Sequence, residues 1–306
     1  MGLVIVGSMA FDEIDSPFGS SGRVIGGSAT YSSLSASYFS PDIKVVSVVG
    51  YDFPEIAVEM LKAKGINLEG VDIKKDEKSF FWHGRYHNDL NSRDTLVTEL
   101  NVLGDFNPVL PESFRNTDFL FLGNLSPDVQ LSVINQANPR PKLVAMDTMN
   151  FWMDIALDSL KNTLKSIDLL IINDEEARQL SGTYSLVKAA RLIREMGPKY
   201  LIIKKGEHGA LLFHGSDIFF APALPLEEVF DPTGAGDTFA GGFMGYLAST
   251  GDVTFDNMKR AVIYGSAVAS FCVEKFGTQR LEELSKAEID ERVNQFVKLV
   301  DFSVNS

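Results

Sequence analysis

A glycine-containing turn leads into an apolar helix in the last third of the chain. Residues 231–247 read DPTGAGDTFAGGFMGYL, and Phe239, Phe243 and Leu247 recur every fourth position, which predicts a packed helix. The first N–H groups of a helix lack intrahelical partners and, with the helix dipole, suit an anion. Asp237, in the first turn, could take a proton from a hydroxyl beside that anion, as phosphoryl transfer requires. Ordinary turn and capping chemistry explains the same residues equally well.

The same stretch resembles a motif of a known family. DPTGAGDTFAGGF is similar to the C-terminal signature D-T-x-G-A-G-D of the ribokinase-like (PfkB) carbohydrate kinases, with Pro232 as a local variation. The resemblance implies that Asp237 is the catalytic base and that Gly234, Ala235 and Gly236 form the anion hole. It also implies an α/β fold, in which a central, mostly parallel β-sheet has helices on both faces and a small β-sheet forms a lid.

An acidic residue follows the first apolar run, Leu3–Val6, which predicts a buried strand. Asp12 ends the predicted turn over residues 8–12, and parallel strands present ligand groups beyond their carboxyl ends. A solvated loop acid is the alternative. The resemblance implies that Asp12 holds substrate hydroxyls.

Two glycines, Gly26 and Gly27, precede a predicted helix over residues 29–39. Such a pair lets a ligand approach backbone amides closely, although turn chemistry alone explains it as well. The resemblance implies that both glycines lie against the sugar and that Tyr31 occupies a substrate-contacting position. Ribokinases carry Asn at the places of Ala10 and Tyr31, so this chain is expected to act on a substrate other than ribose.

Residues 78–101 combine aromatic, β-branched and polar residues, with a turn-like interruption at 88–94. This pattern predicts a hairpin outside the main sheet. With residues from about 12 to 25 it is expected to form the lid, within a single kinase domain over residues 1–306. Five of its side chains could line a pocket, although sheet packing explains each of them better: Trp82, His83, Arg85, Tyr86 and His87.

From residue 118 short apolar strands alternate with helical stretches. The predicted strands cover residues 119–122, 143–146, 169–172 and 200–203, and the predicted helices cover residues 129–137, 155–165 and 185–196. This alternation indicates a mostly parallel sheet covered on both faces. Each of the four strands ends in polar residues suited to ligands, at residues 123–124, 147–150, 173–176 and 204–206.

One strand end carries a metal-binding candidate. Asn173 can cap the next helix while Glu176 reaches the same end, which is a capping-box pattern. The resemblance implies that Asn173 and Glu176 organise Mg²⁺ and its waters around phosphates, with Glu175 as the alternative if the register differs. A hard cation that keeps several waters needs few protein oxygens.

Residues 201–213 resemble the family's strand–turn–strand that contacts the nucleotide. The resemblance implies ATP binding through Gly206 and through Lys204 or Lys205, either of which could pair with phosphates. Solvated lysines at a strand end are the alternative. Further nucleotide contacts are implied by likeness along a small-residue helix over residues 261–275 and beside the anion hole, at Thr233, Ala269 and Gly277.

Composition excludes several classes of function. A formal net charge of −13 over 306 residues argues against a nucleic-acid or anionic-membrane surface, because phosphate backbones demand a basic patch. Cys272 is the only cysteine, so no intrachain disulfide forms and a reducing cytoplasm is the expected compartment. No apolar run approaches the roughly 18 residues of a membrane span, and the N-terminal run is typical of a strand and not of a signal peptide.

Three common motifs are absent from the sequence: G-x-x-x-x-G-K-[ST], a G-x-G-x-x-G after the first strand, and G-x-S-x-G. Their absence argues against a P-loop kinase, a dinucleotide dehydrogenase and an elbow-type hydrolase. The expected function is therefore ATP- and Mg²⁺-dependent phosphorylation of a hydroxyl on a small sugar-like substrate. The alternatives are a nucleoside kinase of the same fold and a catalytically silent sugar sensor. A monovalent-cation requirement and a homodimer stay open.

Overall fold

The computed structural model describes residues 1–90 and 92–301. The strands in this part of the chain are β1 (Leu3–Val6), β2 (Ala10–Ser16), β3 (Gly19–Gly26), β4 (Ile43–Gly50), β5 (Ile66–Lys74), β6 (Phe80–Tyr86), β7 (Arg93–Glu99), β8 (Phe119–Leu122), β9 (Leu143–Asp147), β10 (Leu169–Asn173), β11 (Tyr200–Lys204), β12 (Ala210–His214) and β13 (Asp217–Ala221).

The α-helices are α1 (Ser28–Ser37), α2 (Glu55–Ala63), α3 (Glu112–Arg115), α4 (Pro127–Gln136), α5 (Asn150–Ile155), α6 (Leu157–Leu164), α7 (Asp174–Ser181), α8 (Leu186–Arg194), α9 (Ala235–Thr250), α10 (Phe255–Cys272), α11 (Gln279–Glu283) and α12 (Lys286–Val300). Within the described residues, no helix is both long and apolar enough to cross a membrane.

The larger sheet has nine strands in the order β13-β12-β11-β10-β9-β8-β1-β4-β5. Pairing is parallel from β5 to β11, and β12 and β13 continue it antiparallel. Alternate residues of β1 face opposite cores: Leu3 and Ile5 pack in one, Val4 and Val6 in the other. The predicted mostly parallel sheet with helices on both faces is confirmed, and burial on both sides explains its continuous apolar strands.

The position of β1 in this sheet locates a ligand-binding edge. The chain runs from β1 to β4 and β5 on one side and then to β8, β9, β10 and β11 on the other. Such a reversal of strand order opens a crevice beyond the carboxyl ends of the strands. We call this the carboxyl edge, and three of the polar strand ends predicted above lie on it, at Asp147, Asn173 and Lys204.

A second, small sheet has the order β3-β2-β6-β7. The predicted hairpin is confirmed as β6 and β7, and β2 pairs parallel to β6. The predicted turn at residues 8–12 is wrong at its end, because β2 begins at Ala10 and contains Asp12. Along β2, Ala10, Asp12 and Ile14 are buried on one face, as the two-residue period of a strand places them.

One face of the small sheet is turned toward the carboxyl edge. The Tyr86 hydroxyl lies 3.1 Å from Thr233 Oγ1. A Cβ built on Gly277 would lie 3.0 Å from Val24 Cγ2. Asp12 pairs with Val24 and therefore shares its face. We call this face the inner face.

Helix α9 is packed between α1 and α10 by close backbone contacts. A Cβ added to Gly241 would lie 2.1 Å from the carbonyl oxygen of Ser32, and one added to Gly245 would lie 2.6 Å from Cα of Ala36. On its other side, a Cβ on Gly242 would lie 3.1 Å from Cα of Gly265. The lack of side chains at these three glycines allows the neighbouring helices to approach this closely, and the predicted packed helix is confirmed. Because α9 cannot shift, its first turn holds a defined place at the carboxyl edge.

Candidate active site

The turn before α9 requires a glycine for two reasons. Gly234 caps the helix in the left-handed conformation, with φ 73°, where other residues are strained. A Cβ at this position would also lie 2.4 Å from the ring of Tyr31. Tyr31 is 1% exposed, and within the described residues its hydroxyl has no hydrogen-bond partner and no contact with solvent. The structure therefore places Tyr31 against the turn that is predicted to form the anion hole.

The first turn of α9 presents unused backbone donors. Among the described residues, the N–H groups of Gly234, Gly236 and Asp237 have no hydrogen-bond acceptor. The N–H of Ala235 donates to the Pro232 carbonyl oxygen at 3.2 Å. Unused amides at a helix N-terminus suit an anion. The predicted anion hole therefore has free amides at Gly234 and Gly236, and the amide of Asp237 adds to them.

A buried lysine lies beside these amides. Lys204 Nζ is 3.4 Å from Asp147 Oδ2, and their side chains are 18% and 9% exposed. A Cβ built on Gly236 would lie only 2.8 Å from Lys204 Nζ. Burial lowers the pKa of Lys204, but the charges of Asp147, Glu176 and Asp237 raise it more, so its net pKa is above the usual value. Lys204 is therefore a protonated cation at neutral pH.

The neighbouring Lys205 points elsewhere. Its Nζ lies 6.0 Å from the ring centroid of Phe220 on β13. Gly206 is exposed, and its φ of 53° allows the tight turn after β11. Of the two lysines that the sequence could not separate, Lys204 is the one beside the predicted anion hole.

Three carboxyl groups of the candidate site have pKa values raised to about 7. For Asp237 and Glu176 the main cause is burial, followed by repulsion from Asp147. For Asp12 the causes are burial and then repulsion from Asp231 and Asp237. Loss of water disfavours the charged form of each group, and neighbouring carboxylates add to that effect. Clustered perturbed carboxyls in a cleft are typical of functional sites.

Asp12 lies against two glycines, Gly26 at the end of β3 and Gly27 directly after it. A Cβ on Gly26 would lie 1.8 Å from Asp12 Oδ2, so a larger residue at this position would displace the Asp12 carboxylate. Gly27 has φ 96°, and its N–H donates to the Asp12 carboxyl and partly offsets its raised pKa. The structure thus brings Asp12, Gly26 and Gly27 together and places Asp12 close enough to Asp237 for their charges to interact.

The capping box at the start of α7 is confirmed. Asn173 N donates to Glu176 Oε2, and Glu176 N donates to Asn173 Oδ1, both at 2.8 Å. Glu176 is 6% exposed, whereas Glu175 is exposed, so the structure favours Glu176. Within the described residues no three acidic, histidine or cysteine side chains are grouped to hold a metal. One carboxylate with waters and phosphates suits Mg²⁺ but not an ion that needs a protein cage.

Asp231 is the first residue of the DPTGAGD motif and organises the loop before α9, although it was not predicted as a site residue. It is fully buried. Its Oδ1 accepts from Thr233 N at 2.8 Å, and its Oδ2 accepts from Gly277 N at 2.9 Å. It therefore joins the loop before α9 to the segment after α10. Thr233 and Gly277, predicted to contact nucleotide, both lie against it, while Ala269 is a partly buried residue of α10 that packs on the core.

Several candidates on the small sheet are engaged elsewhere. His83 and Arg85 both pair with Asp15, and His87 pairs with Asp94. Two side chains of this sheet act toward the carboxyl edge: Tyr86 bonds to Thr233, and the charge of Arg93 lowers the pKa values of Asp237 and Glu176. Sequence reasoning missed Arg93. It marked Asp147 among the polar residues at a strand end but gave it no role in the site.

Known proteins resemble this chain over most of its length. The model of the pfkB family of carbohydrate kinases matches residues 10–284. The chain belongs to this family. The kinase is also 30% identical to the cytidine kinase of Thermococcus kodakarensis over 248 residues, covering 79% of this chain and 87% of that protein. It is therefore a kinase of carbohydrates or nucleosides.

Solved structures share the same fold. The nucleoside kinase of Burkholderia thailandensis, determined in complex with inosine, superposes with a TM-score of 0.78 at 20% identity, over 97% of this kinase and 99% of that chain. The ribokinase of Arabidopsis thaliana, determined with ribose and ATP, gives a TM-score of 0.75 at 20% identity, over 95% and 98% of the two chains. At these identities the likeness establishes the ribokinase-like fold.

Proposed function

We propose that this kinase transfers the γ-phosphoryl group of ATP to a hydroxyl of a small substrate that contains a sugar. One observation carries the proposal: unused amides at the start of α9, the Lys204 ammonium and the Asp237 carboxyl lie together at the carboxyl edge. These are the three parts that phosphoryl transfer needs, namely an anion hole, an added positive charge and a base.

Asp237 is the base of the proposed mechanism. Its carboxylate takes the proton of the substrate hydroxyl as that oxygen forms a bond to the γ-phosphorus. The bond between the γ-phosphorus and the β–γ bridging oxygen breaks, and its electron pair leaves with ADP. The amides of Gly234 and Gly236 and the ammonium of Lys204 stabilise charge on the transferred group. Because the transition state is loose, positioning and electrostatics dominate, and a carboxylate is a sufficient base.

The residues of the site fit a magnesium ion that is held mostly by phosphates and water. Glu176 would hold it, with one oxygen fixed by Asn173 and the other free to bind a coordinated water. Mg²⁺, when bound, neutralises phosphate charge and orients the phosphoryl group. Asn173 fixes the rotamer of Glu176 through the capping box and so prepares it for this role.

Asp12 orients the substrate. Its position on the inner face of the small sheet, opposite Asp237, suits a carboxylate that accepts hydrogen bonds from sugar hydroxyls. The small sheet is proposed to act as a lid that excludes water when substrate binds. Strand β7 is exposed along its whole length at the edge of this sheet, and an open edge favours pairing with another chain. A homodimer through β7 is therefore part of the proposal, and light scattering measures it.

A coupled assay of ADP release tests this function. ATP and Mg²⁺ are supplied with pentoses, hexoses, sugar phosphates and nucleosides in turn, in potassium and in sodium buffers. The proposal expects turnover on at least one of them that stops when EDTA removes the metal. A protein that binds ATP but phosphorylates nothing would instead support the sugar-sensor alternative, against which the intact Asp237 argues. A comparison of the two buffers decides whether a monovalent cation is required.

A further inference from the structure

We infer that Trp82, on the inner face of the small sheet, is the surface on which the planar base of a nucleoside substrate rests. The inference rests on the proposed function and deepens it, because it selects a nucleoside over a free sugar. The evidence is the position of Trp82 beside Asp12, the way its indole is held, and the polar groups around it.

Trp82 neighbours the residue proposed to hold the sugar. Asp12 and Trp82 are paired residues of the parallel strands β2 and β6, so their side chains share one face of the sheet and their strands lie about 4.8 Å apart. Tyr86, four residues further along β6, is on the same face and reaches Thr233. A substituent on a sugar held by Asp12 can therefore extend over Trp82, whereas an unsubstituted pentose ends at Asp12.

The indole of Trp82 is held in one orientation. A Cβ built on Gly84 would lie 2.1 Å from Trp82 Cη2 and 2.2 Å from its Cζ2. The benzo half of the ring therefore occupies the space that a side chain at position 84 would fill. The indole Nε1 donates to Thr95 Oγ1 at 3.3 Å. Gly84 is buried, while Trp82 stays half-buried, so a fixed aromatic surface remains partly open.

The surroundings of this indole suit a heterocycle with polar edges. The guanidinium carbon of Arg93 lies 5.7 Å from the indole centroid. Arg93 pairs with Tyr86 across β6 and β7, and Thr95 pairs with Gly84, so these side chains share the inner face. Guanidinium and hydroxyl groups donate hydrogen bonds to the carbonyl oxygens and ring nitrogens of a base. Any nucleobase can stack on an aromatic side chain, because every base has a π-face.

The test is titration calorimetry with cytidine, inosine and D-ribose on the full chain. Wild type is compared with Trp82→Ala, Trp82→Phe and Gly84→Ala, and Trp152→Phe serves as a control for the other tryptophan, which bonds to Asn124. We expect Trp82→Ala to weaken binding of both nucleosides by about 10-fold and to change ribose binding by less than about 3-fold. Trp82→Phe keeps most of the affinity. Gly84→Ala, which displaces the indole without removing it, weakens nucleoside binding as Trp82→Ala does.

Two results overturn the inference. The first is a wild type that binds ribose but neither nucleoside. The second is a Trp82→Ala variant whose affinity falls equally for all three ligands or for none of them. Because binding is measured without turnover, a failure of the proposed function can be distinguished from a failure of this inference. A protein that binds cytidine through Trp82 but never releases ADP would contradict the kinase mechanism alone. A kinase whose nucleoside affinity ignores Trp82 and Gly84 would contradict this inference alone.

Discussion

Replacement of Lys204 by methionine removes the cation that lies among the carboxyl groups of the site. Methionine is unbranched and only one atom shorter than lysine, so it keeps most of the side chain but not its charge. Loss of one preorganised donor to the transferred group lowers kcat by roughly 10²–10³-fold in comparable sites, and we expect a decrease of that size. Lys205→Met is the matched control, because Lys205 Nζ lies against Phe220 and away from Asp147.

The same substitution changes the pH dependence in a defined direction. The positive charge of Lys204 lowers the pKa of Asp237, although burial and Asp147 keep that pKa near 7. Activity requires the ionised base, so kcat/KM rises with pH through about 7 and levels off above it. Without Lys204 the pKa of Asp237 rises, and the ascending limb of the profile moves to higher pH.

The assay is coupled ADP release, measured from pH 5.5 to 9 for wild type and both variants. Folding is checked by circular dichroism, since one partner of the Lys204–Asp147 pair is lost and a broken buried pair costs about 3–5 kcal/mol at most. Equal losses of activity in Lys204→Met and Lys205→Met would refute the reasoning. So would an ascending limb that stays in place or moves to lower pH.

Three further predictions concern stability and metal use. Asp237→Asn should raise Tm at pH 8 by about 4 °C and leave it unchanged at pH 4. The pKa of the Asp237 carboxyl is raised from 3.8 to about 7, so this group stabilises the folded state below pH 4 and loses that contribution as pH rises through 7. The shift corresponds to at most about 4 kcal/mol of folding free energy, which partial exposure of the side chain halves to about 2 kcal/mol. If the difference in calorimetric Tm between wild type and Asp237→Asn did not change with pH, this prediction would be contradicted. Asp231→Ala should lower stability by about 3 kcal/mol in urea unfolding, because two backbone N–H groups lose a charged acceptor, and Asp231→Asn should lower it less. Asn173→Ala should lower the free energy of unfolding by about 1 kcal/mol, because the helix cap is lost, and it should raise the Mg²⁺ concentration needed for half-maximal activity. An unchanged Mg²⁺ requirement would show that Asn173 caps the helix without preparing the metal site.

Local patterns in the sequence predicted much of the fold. The helix after GAGD, the strands over residues 119–122 and 200–203 and the capping box at Asn173 all depend on neighbouring residues, so spacing alone revealed them. The predicted helix over 155–165 is α6, Leu157–Leu164, whereas the preceding helix α5, Asn150–Ile155, was not predicted. The two helices are separated at Ala156, where φ is −141°. Strand β13 and helix α12 were not predicted, because neither carries a motif that drew attention to it.

The site was less predictable, because its contacts join distant segments. Asp147 and Lys204 meet across β10, and Asp231 reaches Gly277 across 46 positions; no spacing rule encodes such pairs. Tyr31 was placed by the resemblance at a substrate-contacting position, and its contact with the backbone at Gly234 could not be predicted, because only packing in three dimensions determines it. Asp12 was expected in a turn and lies in a strand, because pairing with β6 overrides the local turn signal.

The measurement that tests the central claim most directly is ADP release by Asp237→Asn beside wild type, at pH 8 and with the substrate that wild type uses best. Calorimetric binding of ATP and of that substrate is measured on both proteins. The proposed mechanism predicts that turnover falls by a few orders of magnitude while both ligands still bind and the fold is intact. Near-normal turnover in Asp237→Asn would contradict the assignment of Asp237 as the base.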